Sequence, residues 1–281
     1  MIFNLVNTFI LNTLTKAITI SFTNYKGGTG KTTTCINVAG YLAKTGKKVL
    51  VIDLDPQANS TAALGIDKSD LRYTVFDALL YKSRNNPKIS IKKTILYTDF
   101  KNLFIVPSDL GLCEAEYSMQ SAKNSSLILD RCLDEVRDLF DYILIDTSSG
   151  PSFLMINSLM SADKIIIPID SSLYSLDALE SIKIFYNKIK KGSKHNIDEF
   201  IIVFNRFKGR GFLKKFSDTL FNEPSFNQYL IDKVKIDFYI KESKDVVISQ
   251  FNKTPISDLS YKPKVGKVYQ SIANYIIEKS R

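Results

Sequence analysis

From residue 17 to residue 204 the chain alternates short, almost uninterrupted apolar runs, rich in β-branched residues, with longer stretches of helical spacing. The runs at 17–23, 49–52, 103–106, 142–145, 164–169 and 200–204 predict strands. Helices are predicted at 31–45 (stopped by Gly46), 125–139, 152–160 and 176–191 (stopped by Gly192). A strand that is apolar at successive positions is buried on both faces. Parallel strands also need a crossover between them, usually a helix. The pattern therefore predicts an α/β fold with a doubly wound, mostly parallel sheet.

The 281 residues are 44% hydrophobic, enough to bury a sizeable core, and no Pro/Gly/Ser-rich linker or internal repeat interrupts them. One domain over residues 16–281 is expected. Within it, 82–101 is polar and irregular and 222–263 only weakly periodic, so both are expected to decorate the sheet. The three cysteines, Cys35, Cys113 and Cys132, fall in no paired spacing, and there is one histidine. That excludes a disulfide framework and a protein-built zinc site, so the expected metal is one carried by a ligand. His195 lies in a lysine-rich stretch between two predicted elements and reads as a solvated loop residue, not as a catalytic base.

Residues 1–15 are uncharged apart from the terminus and partly apolar, but Asn4, Asn7 and Asn12 break them up and no basic region precedes them. A signal peptide or membrane anchor is not expected from such a segment. It reads either as a dispensable extension or as a short amphipathic arm carrying Phe3, Val6, Ile10 and Leu14.

Directly after the first predicted strand come Asn24, Tyr25, Lys26, Gly27, Gly28, Thr29, Gly30, Lys31, Thr32 and Thr33, which open the first predicted helix. Three glycines let the backbone turn tightly with its N–H groups facing inward, and a helix N-terminus adds partial positive charge. Lys31 suits the β and γ phosphates of a nucleotide, and the Thr32 hydroxyl suits its magnesium ion. A glycine turn before a helix explains the glycines alone, not the Lys-Thr pair that follows them.

The general phosphate-loop pattern wants glycine where Tyr25 stands, and Lys26 is an additional lysine. In both respects the stretch resembles the deviant Walker A loop of the ParA/MinD group of P-loop NTPases. That resemblance implies that Lys26 reaches across an ATP-sandwich homodimer to the partner's nucleotide. The segment 49–61, with Asp53, Asp55, Pro56, Gln57 and Asn59, looks like the group's switch segment. By the same likeness Asp55 orients the attacking water, and Asp53 supports magnesium. The apolar strand ending in Asp146 resembles the Walker B strand and can hold a magnesium-bound water opposite Thr32. The group usually continues with a Pro-Pro-Ser type turn; here residues 147–152 read Thr-Ser-Ser-Gly-Pro-Ser, which leaves the position of the second switch loop open. Weaker likenesses lie at 106–110 with Glu114, at 167–168 and at 176–180, and Asn205 and Arg206 stand where the group contacts adenine.

Charge is unevenly divided. Residues 1–185 hold 19 basic and 19 acidic side chains, so the whole formal excess of +9 lies in residues 186–281. Lys208, Arg210, Lys214 and Lys215 cluster after Arg206, and Lys262, Lys264 and Lys267 add three more cations. Such clusters suit sequence-independent contact with the phosphates of a polyanion, and charge alone leaves DNA, RNA and anionic lipid open. Val265, Val268, Tyr269, Ile272 and Ile276 form a stripe of helical spacing near the C-terminus, and this is expected to pack on the core and not on a membrane. The resemblance then implies an ATPase using ATP and Mg2+, weak alone and stimulated by a ParB-like activator. It implies nonspecific DNA binding and a cytoplasmic, nucleoid-associated location, in the service of chromosome or plasmid partitioning. Two alternatives remain at this point: a MinD-like membrane-cycling ATPase, and a slow, ATP-switched DNA-binding scaffold.

Overall fold

The computed structural model describes residues 16–84, 89–120, 122, 124–170, 184, 187, 197–207, 209, 211, 214, 218 and 232–280. Residues 1–15 and His195 lie outside them, and so does the helix expected over 176–191, apart from Ile184 and Asn187, which are helical.

Eight strands form one continuous sheet: β1 (Ile18–Phe22), β2 (Val49–Leu54), β3 (Leu96–Tyr97), β4 (Leu103–Val106), β5 (Tyr142–Thr147), β6 (Lys164–Asp170), β7 (Glu199–Asn205) and β8 (Val234–Ile240). Their order is β3-β4-β2-β5-β1-β6-β7-β8, and every pairing is parallel except β3 with β4. The helices whose bounds lie within the described residues are α1 (Lys31–Lys44), α2 (Asn59–Ala63), α3 (Val75–Arg84), α4 (Leu112–Gln120), α5 (Ile128–Leu133), α6 (Phe153–Ser161), α7 (Lys244–Phe251) and α8 (Gly266–Glu278).

Alternate residues of each central strand enter different apolar clusters, as a sheet covered on both faces requires. Val49 and Val51 of β2, Leu144 of β5 and Ile201 and Val203 of β7 pack with α1 and α8. Leu50 and Ile52 of β2 and Ile143 and Ile145 of β5 pack with α3, α4 and α5. Ile165 and Ile167 of β6 and Ile202 of β7 pack with Met155 and Leu159 of α6. In α8, Tyr269, Ile272, Ala273 and Ile276 are buried against α1, and Gln270, Ser271 and Asn274 face outward, as the apolar stripe predicts.

Three regions differ from expectation. The helical pattern over 125–139 is divided into a 3-10 turn (Ser125–Leu127), α5 and a second 3-10 turn (Arg137–Leu139). The buried Arg137 guanidinium bonds Asp130 at 2.6 Å, Asp134 at 2.7 Å and the Ser161 carbonyl at 3.4 Å, so a tertiary network overrides local periodicity. The weakly periodic stretch 222–263 contains β8 and α7, and the irregular 82–101 contains β3.

Candidate functional site

The segments that follow β1, β2 and β5 meet at one cleft at the carboxyl edge of the sheet, with the end of β7 bordering a hollow beside it, where doubly wound folds bind their ligands. Between β1 and α1 the chain turns through Gly28 and Gly30, both in the left-handed region with φ of 72° and 90°. Gly30 has a second reason to lack a side chain, because a Cβ there would stand 2.5 Å from the Asn205 amide nitrogen. As the residue preceding α1 it supplies no side-chain cap, and the first turn of α1 holds no acidic residue. The first N–H groups of the helix are left for an anion from the cleft.

Lys31 opens α1 with only 8% exposure, and its Nζ donates to the Lys26 carbonyl oxygen at 3.2 Å. Burial lowers its pKa, while Asp146 and Asp55 pull it back up. Asn205, also 8% exposed, donates from Nδ2 to the Thr29 carbonyl at 2.7 Å and to Thr34 Oγ1 at 3.3 Å. Arg206, with φ of 50°, donates from Nη2 to the Gly28 carbonyl at 2.9 Å. Expected as base contacts, these two side chains are turned onto the phosphate loop and brace its shape.

The carboxylates divide by exposure. Asp53 and Asp146 face each other across the β2–β5 pairing and are fully buried. Asp53 Oδ2 accepts from the Thr61 N–H and hydroxyl, each at 2.7 Å, and Oδ1 accepts from the Asp55 N–H at 3.3 Å. It thereby ties both ends of the 53–61 segment together. Asp146 Oδ2 accepts from the Ser60 hydroxyl at 2.8 Å, whereas its buried Oδ1 has no hydrogen bond of ordinary length. Burial pushes Asp53 up to about 7, helped by Asp146 and opposed by Thr61. Burial likewise raises Asp146 to about 6, with the Thr32 and Ser60 hydroxyls and Lys31 drawing it down and Asp55 adding to the rise. Asp55 is half-buried on the cleft wall and fixes the turn by accepting the Gln57 N–H at 2.9 Å. Below them in α1 lies Cys35, whose thiol is raised well above its usual value by burial, then by Asp146 and Asp53.

The structure also places the divergent turn over 147–152. The Gly150 N–H donates to the Tyr25 carbonyl at 2.8 Å, and Ser152 caps α6 by accepting the Met155 N–H at 3.0 Å. The turn therefore lies against the start of the phosphate loop, with Thr147 and Ser149 on the cleft wall.

The cleft encloses about 550 Å³ between the loop, Asp55, α2, Gln250 and Lys253. A neighbouring hollow of about 310 Å³ lies between Gly28, Thr29, Arg206, Glu242 and Ser243 of the β8–α7 connection, and Val247 of α7. Gln250 borders both and donates to Thr33 Oγ1 at 2.9 Å. None of the residues from 240 to 253 was singled out by sequence. The signal that could have found α7 is Ser243, which caps it by accepting the Asp245 N–H at 3.2 Å.

These residues fit a magnesium nucleotide. A loop with donors aimed inward, a buried lysine and a hydroxyl next to a buried carboxylate oxygen in want of a partner are what triphosphate and a hydrated divalent ion require. Of the expected DNA contacts, Lys214 is exposed, whereas Lys208, Arg210 and Lys215 lie outside the described residues; Lys262, Lys264 and Lys267 are exposed. Among the described residues no group of His, Cys, Asp and Glu forms a metal cluster, and no helix is long and apolar enough to cross a membrane.

Fold and site together define a phosphate-loop nucleotide-binding protein of the doubly wound α/β class. A family model described as an AAA domain matches residues 17–199. The chromosome-partitioning ATPase Soj of Treponema pallidum is 32% identical over 222 residues, covering 78% of this chain and 84% of that one. By these matches the chain belongs to the ParA/Soj-type ATPases. The sporulation initiation inhibitor protein Soj of Bacillus subtilis is 35% identical over 176 residues, 63% of this chain and, at 66%, just under two thirds of that protein's own length. Among solved structures, an ATP complex of McdA from Cyanothece superposes with a TM-score of 0.78 at 22% identity, covering 93% of this chain and 96% of that one, which shows the shared fold.

Proposed function

We propose that this chain is the ATP-driven switch of a DNA-partitioning system, binding ATP with Mg2+ as a sandwich dimer. In this reading the dimer holds DNA without regard to sequence, and a ParB-type partner stimulates hydrolysis. The observation that carries the reading is the convergence of Lys31, Thr32, Asp55 and Asp146 on one cleft behind a loop that has a second lysine, Lys26.

The residues divide the work. The loop N–H groups and Lys31 bind the phosphates and balance their charge. Thr32 and, through water, Asp146 hold the magnesium ion, which neutralises charge on the phosphate oxygens when bound. Asp55, half-exposed at the cleft wall, orients the attacking water. Asp53 keeps Asp55 in place through the bonded 53–61 segment, and Lys26 acts across the dimer. The β8–α7 hollow takes the base. The basic last third supplies the DNA face, and a cytoplasmic, nucleoid-associated location follows from it. The exposed Lys214, Lys262, Lys264 and Lys267 support that assignment. A membrane-cycling role is disfavoured because the apolar face of α8 is committed to the core.

ATP turnover measured with and without duplex DNA and a ParB-type protein tests the proposal. Turnover should rise with both together, and the Asp55→Ala variant should retain ATP while turnover falls about 100-fold. Wild-type turnover in that variant moves the water-orienting role elsewhere. Undetectable turnover of the wild-type chain under every condition leaves the ATP-switched scaffold.

A further inference from the structure

Asp170, outside every motif the sequence offers, stands between the two cations that flank the phosphate loop. It ends β6 in register with Asn205 of β7, and its side chain is 15% exposed. Both carboxylate oxygens accept from Lys26 Nζ, at 3.0 and 3.1 Å. Arg206 Nη2 stands 3.5 Å from Oδ2. The backbone beneath is fixed as well: Asn24 Nδ2 donates to the Pro168 carbonyl at 2.8 Å, and the Lys26 N–H donates to Asn24 Oδ1 at 3.0 Å. Lys26 is thus folded across its own loop toward β6, with its charge matched inside its own subunit. An ammonium held there does not extend to a phosphate on a second copy.

We propose that Asp170 is a positioning residue that restrains Lys26 in the nucleotide-free subunit, so that ATP-dependent pairing proceeds by exchange of the Lys26 ammonium from Asp170 to the partner's nucleotide. This rests on the reading in which Lys26 acts across the dimer. Arg206 completes the exchange: it already borders Asp170, so the carboxylate keeps a cation after Lys26 leaves. The restraint opposes pairing and sets the ATP-bound protein concentration at which dimers form.

The test is self-association measured by sedimentation with a nonhydrolysable ATP analogue and Mg2+, with ADP as the control. Asp170→Asn should pair at about five- to thirtyfold lower protein concentration, the scale of two partly exposed ion pairs no longer given up per dimer. Asp170→Glu should return toward wild type, and Asp170→Ser gives the same reading as Asp170→Asn should the latter fail to fold. In the Lys26→Ala background, Asp170→Asn should change nothing. Unchanged or weakened pairing of Asp170→Asn overturns the proposal, as does equal strengthening with Lys26 absent, since that outcome needs only the loss of a negative charge. Should Lys26→Ala alone pair like the wild type, it is the trans role of Lys26 that fails, a result separable from the others.

Discussion

On one side of the cleft, residues 24–61 and Asp146 act through backbone groups and buried charge: Gly30 against Asn205, Lys31 at 8% exposure, Asp53 and Asp146 at none. On the other side, residues 240–253 present side chains from an exposed helix, with Val247 63% and Phe251 88% exposed and Gln250 reaching Thr33 from the surface. The first wall has no slack, because the core beneath fixes its atoms and, in the function proposed above, so does the anion they bind. The second lines the cleft and the neighbouring hollow from the surface and is free of that double demand. Substitutions should therefore be severe and distinct in kind on the first wall and graded on the second.

The largest effect is expected at Lys31. Lys31→Ala removes a charged donor from the phosphates, and ATP affinity in calorimetry should fall by about 100-fold or more. Undiminished affinity would falsify the phosphate-loop assignment. Next comes Gly30→Ala, which combines a left-handed backbone with a contact of 2.5 Å to Asn205. Thermal unfolding without nucleotide should show a loss of about 2–3 kcal/mol, and pairing it with Asn205→Ala should restore part of that.

A smaller effect separates the wall's two buried carboxylates from ordinary ones. Asp53 at about 7 and Asp146 at about 6 both stand above their usual 3.8. A carboxylate raised in the folded state contributes stability below its unfolded pKa and loses it as pH climbs through the folded value. The nucleotide-free protein should thus lose stability between about pH 4 and pH 7, and Asp53→Asn should show less of this decline. Melting curves at pH 5 and 7.5 with a chelator present would compare the two proteins. A decline as steep in Asp53→Asn as in wild type would remove Asp53 from the account. The smallest effect belongs to the second wall: Gln250→Ala deletes one exposed hydrogen bond and should weaken ATP binding only about two- to fivefold. A loss as large as that of Lys31→Ala would erase the contrast between the walls.

The same contrast explains what could be read in advance. Central strands such as β2 and β5 are apolar at successive positions because helices cover both faces, so their runs are legible. The edge strands are not: β8 interleaves Lys235 and Asp237 with its apolar residues, and β3 is two residues long with Tyr97 83% exposed. Gly27 to Thr32 and Asp146 were legible because phosphate and metal chemistry dictate residue type at fixed spacing, whereas Lys26, Asp53 and Asp55 were singled out by the resemblance to the ParA/MinD group's motifs. Asp170, Gln250 and Lys253 were not, because each reaches the loop or cleft only through tertiary approach from a strand end or a surface helix. Asn205 was found for its place in the fold, but the direction of its side chain is set by the close pass of Gly30.

The burial of Cys35 under the carboxylate pair has a consequence for anyone who handles the protein. Cys113 is exposed, while Cys35 and Cys132 are not. An alkylating reagent therefore meets one fast thiol and two slow ones, and the slow two sit in different apolar clusters, Cys35 with α1 and α8 and Cys132 with α3 to α5. Mass increments over time thus carry three clocks in the unaltered chain: one for the surface, one for the helix that begins at the phosphate loop, and one for the layer on the far face of the sheet.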